Sequence, residues 1–142
     1  VTGVQTCALP IYFARTLGTG GAPCERVVVC MVHDDDVNEL DEPFYLARMV
    51  SKARTLNKRC LVGGNEYEAG HIVVNIKWYL YTGDSRGDRL YRLQPGDSRG
   101  VVYSVSSIVR NITGIKFKKY ENGRYVLDRS TVNKLTRWLS TN

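Results

Sequence analysis

HIVVNIKWYLY, His71 to Tyr81, is the stretch whose reading decides the fold. Its β-branched and aromatic content suits a strand, and its apolar positions recur every second residue rather than every 3.6. Ile72, Val74, Ile76, Trp78 and Leu80 fall on one face, while His71, Asn75, Lys77, Tyr79 and Tyr81 fall on the other. Successive side chains of a strand point to opposite sides, so the first set is expected in the core and the second toward water. On that reading Trp78 is most economically a core residue, and Tyr79 and Tyr81 belong to the polar side.

Similar signals continue on both sides of this ribbon. Glu25 to His33 (ERVVVCMVH) and Phe44 to Ala53 (FYLARMVSKA, introduced by Pro43) read as strands, separated by the acidic loop DDDVNELDEP. The pentapeptide GDSRG occurs twice, at Gly83 to Gly87 and Gly96 to Gly100, and is expected to turn the chain at either end of a short strand, Arg89 to Gln94. Val101 to Ile112 reads as a further strand or as a strand leading into a short helix. Asn122-Gly123 marks a two-residue hairpin, because a type I′ turn needs positive φ at both positions. That loop would set Tyr120 opposite Tyr125 and Glu121 opposite Arg124, an aromatic pair and an ion pair. Asp128 or Ser130 can cap a helix over about 130–140 that carries Val132, Leu135 and Leu139 on one side. The expected fold is mainly β: a small barrel or bent antiparallel sheet with one C-terminal helix.

The chain has 142 residues and 43% hydrophobic content, which suits one globular domain. The opening Val1 to Ile11, VTGVQTCALPI, resembles the conceptual translation of a short-read sequencing adapter. It is expected to be an artefact joined to a metagenomic gene, so that further domains of a longer chain would lie beyond it. Residues 12–24 are Gly- and Thr-rich and read as a linker, leaving 25–142 as the single β-rich domain. No run approaches 18 apolar residues, so no membrane contact is expected. Setting Cys7 aside leaves Cys24, Cys30 and Cys60, an odd count without CxxC spacing. This favours reduced thiols and an intracellular setting, nuclear or cytoplasmic.

Charge is uneven. Residues 12–85 carry eight Lys/Arg against ten Asp/Glu, and residues 86–142 carry twelve against four. A basic half can attract phosphate backbones or acidic partners, although it also serves solubility. Lys116, Lys118, Lys119, Arg124 and Arg129 around the hairpin are the candidate nucleic-acid contacts, with Lys116, Lys118 and Arg129 on a shared face. Tyr45, Trp78, Tyr79, Tyr81 and Tyr91 are the candidate ligand-binding aromatics, within a wider set that includes Tyr103. Such rings can stack bases or enclose a methylated ammonium, or simply pack a small barrel.

Enzyme chemistry finds little support. GxSxG, P-loop, HExxH and GxGxxG patterns are absent, and the chain has two histidines. His33-Asp34-Asp35-Asp36 could gather a hard cation for a divalent-metal hydrolase, yet it reads better as a solvated acidic loop. No catalytic residue, metal or cofactor is therefore expected. Arg86-Gly87-Asp88 spells an adhesion tripeptide by chance.

Four short blocks together resemble bromo-adjacent homology (BAH) domains, chromatin modules related in shape to SH3-like Tudor and chromo barrels. They are Ala47-Arg48, Val74 to Tyr79, Tyr103-Ser104 and Ile112 to Gly114. The resemblance spans about 37–117 and departs at Thr82-Gly83-Asp84 and at Ile115-Lys116. It implies an SH3-like or BAH-like barrel acting as a non-catalytic reader of a protein tail or nucleic acid. A structural or assembly domain of a viral or mobile-element protein is the competing reading.

Overall fold

The computed structural model describes residues 27–62, 65–96, 98–109 and 115–141. The adapter-like stretch, the 12–24 linker and the Ile112 to Gly114 block lie outside them. Ten strands follow in chain order: β1 (Val27–Cys30), β2 (Tyr45–Met49), β3 (Arg54–Thr55), β4 (Cys60–Val62), β5 (Asn65–Tyr67), β6 (Ile72–Ser85), β7 (Asp88–Leu93), β8 (Val101–Ser104), β9 (Lys119–Glu121) and β10 (Arg124–Leu127). A single α-helix among the described residues, α1 (Arg129–Thr141), closes the chain. The fold is thus mainly β with a C-terminal helix. All strands but β4 and β5 join one antiparallel sheet of order β1-β2-β6-β7-β10-β9, with β3 and β8 also on β6; β4 and β5 form a separate hairpin.

The stretch around Trp78 is the centre of this sheet. At 14 residues, β6 is long enough to serve two sets of neighbours. Its N-terminal half pairs with β3 on one side and β8 on the other, and its C-terminal half pairs with β2 and β7. After β8 the chain passes through a 3-10 helix, Val105–Ser107, and Ile108 then bridges to Cys30 on β1. The N–H of Met31 donates to the Ser107 carbonyl at 3.0 Å, and that of Val109 to the Val29 carbonyl at 2.8 Å. The sheet therefore bends round its core without closing into a barrel among the described residues.

Both faces of the sheet are covered. Val28, Cys30, Ala47, Met49, Ile72, Val74 and Ile76 pack with Val105 and Ile108 in a first core. The alternate positions Val29, Phe44, Leu46 and Tyr79 pack with Tyr91, Leu127 and Leu135 in a second. β1, β2 and β6 thus supply one face to each core. This corrects the expectation that the odd-numbered face of β6 meets water: Tyr79 is 5% exposed. Its ring packs on Phe117 and Tyr125 within the second core, where Leu135 of α1 is also buried with Val132 and Leu139 against it. Burying that apolar stripe and the outer face of the sheet together removes both from water.

Turn chemistry holds the C-terminal half in place. Asn122 and Gly123 have φ of 54° and 76°, as a type I′ turn requires, and the register sets Tyr120 opposite Tyr125. Arg124 lies opposite Glu121, but the Glu121 carboxylate pairs instead with Lys119 at 3.0 Å. The first GDSRG copy makes a second hairpin of this kind, with Arg86 and Gly87 at φ 55° and 88°. In the second copy, Asp97 lies outside the described residues.

Candidate recognition surface

Three aromatic side chains meet at the rim of the first core. Tyr45 opens β2, Trp78 lies midway along β6 and Tyr103 stands on β8. Trp78 is set edge-on to both tyrosines, with ring centroids 5.9 Å from Tyr45 and 5.1 Å from Tyr103 and interplanar angles of 76° and 86°. All three pack against the core yet remain half-buried, so Trp78 stands at the edge of the core rather than sealed within it as expected. Burial pushes the Tyr45 phenol up, and the charges of Asp36 and Glu42 add to that effect. Burial likewise raises Tyr103, followed by Cys30, with Asp36 contributing and a Ser107 hydrogen bond opposing. An acidic field therefore reaches the rim from the loop before β2.

The other candidate tyrosines lie on the opposite face. Register aligns Tyr81 with Tyr91, Tyr91 with Tyr125 and Tyr125 with Tyr120, a row across β6, β7, β10 and β9. Tyr91 is fully buried and Tyr79 nearly so, which takes both from the exposed surface expected of them. Phe117 packs on both, its ring centroid 4.7 Å from that of Tyr79 and 5.8 Å from that of Tyr91. Tyr81 stays half-buried; its hydroxyl donates to Asp84 Oδ1 at 2.5 Å, and the Arg89 guanidinium lies 4.6 Å from its ring centre. Among the described residues the Tyr91 hydroxyl and Arg89 Nη1 make no hydrogen bond of good geometry, although Arg89, by its charge and its approach to the phenol, opposes the rise that burial imposes on Tyr91.

The basic hairpin is partly neutralised. Asp88 gathers Lys118, whose amine is 3.7 Å from Oδ2, and the first N–H of α1, which Arg129 donates to Oδ1 at 3.0 Å. The Arg129 side chain lies against Gly87, where an added Cβ would strike it. Asp88 thus takes the Lys118 amine and the Arg129 backbone, while the Arg129 guanidinium turns to the Arg86 carbonyl at 3.5 Å. Lys119 and Arg124 occupy the face opposite Tyr120 and Tyr125, while Lys116 is exposed ahead of β9. With Asp88 engaged in this way, the adhesion-like tripeptide serves as a hairpin and helix cap.

Two further arrangements concern catalysis. The His33 N–H donates to Asp36 Oδ2 at 2.8 Å, a local turn, and no group of three or more His, Cys, Asp or Glu among the described residues is placed to hold a metal ion. His71 Nε2 lies 2.8 Å from Ser104 Oγ, which contacts Ser106 Oγ at 2.7 Å. Sequence reading missed this base–hydroxyl pair because its members are 33 residues apart. Among the described residues no carboxylate hydrogen-bonds the other ring nitrogen, the third element of a Ser-His-Asp arrangement.

Sequence reading also passed over Arg48, noted only within the Ala47-Arg48 block. Its Nε donates to the Tyr79 hydroxyl at 2.9 Å and a terminal nitrogen to the Tyr125 hydroxyl at 2.7 Å. Among the described residues, no helix is long and apolar enough to cross a membrane. Comparison with known protein-family models, curated proteins and solved structures finds no match to this chain.

Proposed function

We propose that the chain is a non-catalytic, intracellular binding module, chromatin-reader-like, that recognises a cationic protein tail. The observation that supports this reading is the half-buried Tyr45–Trp78–Tyr103 rim under the field of Asp36 and Glu42. Aromatic rings attract an ammonium through their quadrupole, and a partly desolvated setting strengthens the contact to about 2 kcal/mol. Nearby carboxylates draw in a basic tail and disfavour an acidic one. The BAH and SH3-like resemblance of the sequence points the same way, since in such a module the rim would serve as a reader site.

Binding of Lys-rich peptides, with and without a trimethylated lysine, tests the proposal by calorimetry. The methylated peptide should bind more tightly, and Tyr45→Ala should weaken it about tenfold, within the range of a cation–π contact. Asp36→Asn should weaken both peptides and reduce their salt dependence. Absence of binding to either peptide, or binding indifferent to Tyr45→Ala, would overturn the reading in favour of an assembly domain.

A further inference from the structure

The aromatic rim uses one face of the sheet; Arg48 projects from the other. Its guanidinium is gripped by the Tyr79 and Tyr125 hydroxyls and lies 5.6 Å from the centre of each ring. Partial burial opposes its charge, the two phenol oxygens favour it, and the net displacement is upward, so Arg48 stays cationic. Directly across the β2–β6 ladder stands Lys77. Side chains paired in this way share a face, and like charges directly opposite destabilise a sheet. Among the described residues no carboxylate pairs with either cation.

The hydrogen-bond inventory has the same imbalance. A guanidinium has five donors and no acceptor, and an ammonium three donors and none. The Tyr125 oxygen accepts from Arg48, while its own O–H finds no acceptor among the described residues. The patch is therefore positive and rich in donors, with an orientation fixed by the two tyrosines. An oxyanion with several acceptor atoms would relieve the Arg48–Lys77 repulsion and match those donors. Beside it, Tyr120 packs on Tyr125 with centroids 4.4 Å apart and is 62% exposed, a ring surface one strand away.

We propose that Arg48, Lys77 and the Tyr125 hydroxyl bind a backbone phosphate of a single-stranded nucleic acid, with Tyr120 stacking on an adjacent base. Bare phosphate recognition would need no exposed ring; it is Tyr120 that points to a nucleotide chain, whose bases stack on aromatic side chains. This site differs from the hairpin patch, where Lys118 and Lys119 already face carboxylates. It also stands independently of the rim around Trp78, which lies on the other side of the sheet.

Fluorescence anisotropy of a labelled oligothymidylate on the whole chain is the test. Neutralising one phosphate should lower affinity about two- to threefold between about 50 and about 200 mM salt. Lys77→Gln should weaken binding and flatten that salt slope, while Tyr120→Ala should weaken binding about tenfold. Arg48→Lys keeps the charge and loses the fork, so it too should weaken binding. Should that variant fail to fold, the two surface substitutions suffice. Lys134→Gln, the same charge change on the exposed side of α1, should leave affinity within about twofold. No binding at low salt, or binding indifferent to both Lys77→Gln and Tyr120→Ala, would overturn the proposal. Tighter binding of a phosphoserine peptide, unaffected by Tyr120→Ala, would also overturn it and assign the phosphate to a protein.

Discussion

Cys30 and Tyr91 show what enclosure does to a single titrating side chain. Both are fully buried, and burial is the main cause that pushes each acid up to about 12. In the unfolded chain they would lose their protons near their ordinary values of 9.0 and 10.0. The folded state then holds protons that the unfolded state has released, so stability is complete below pH 9 and declines toward about 12. Urea midpoints should hold steady from neutral pH to about 9 and fall above it, and Cys30→Ala should make that fall shallower. A decline beginning well below pH 9, or one unchanged by Cys30→Ala, would contradict the assignment. Tyr79 shows why such burial was hard to foresee. A phenol reads as polar in an alternating pattern, yet its ring carries the apolar area that the second core removes from water.

At the level of elements, turn chemistry is where sequence reading succeeded best. Asn122-Gly123 specifies backbone angles locally, and the Tyr120–Tyr125 register follows from it. The strand character of His71 to Tyr81 was equally plain, since β-branched and aromatic residues recur through it. The partners of its second face were not legible. α1 arrives more than 40 residues later in the chain, and nothing in the alternation of β6 announces a helix on that side. Nor did the sequence show that Asp88 would cap that helix from a neighbouring hairpin. Asp88→Ala should therefore lower stability by about 1 kcal/mol, the usual effect of losing a cap, read as a lower thermal midpoint and loss of helical signal at 222 nm ahead of it. Asp128→Ala serves as comparison, because Asp128 contacts the first turn through Thr131 Oγ1 at 2.5 Å. An Asp88→Ala protein as stable as the parent would remove the capping role.

For the molecule as a whole, the charge reading was right in total and incomplete in detail. The basic half exists, but three of the five expected contacts, Lys118, Lys119 and Arg129, are engaged by neighbouring groups. Spacing along a chain cannot show which cation a distant carboxylate such as Asp88 will meet. The aromatic positions divided similarly: Tyr45 and Trp78 stand at a rim, whereas Tyr79 and Tyr91 became interior. One feature of the architecture governs how all of this fails under stress. Because β6 threads both apolar clusters, neither can melt while the other persists, and the protein should denature as a single cooperative unit. The two tryptophans report this directly, Trp78 beside one cluster and Trp138 on the helix that covers the other. Single-tryptophan variants made by Trp78→Phe and Trp138→Phe should each show fluorescence and far-ultraviolet dichroism transitions that coincide, whereas a displaced curve would mean two separable units. A shared strand of this kind ties the integrity of one sheet face to that of its reverse, so injury on either side unravels both.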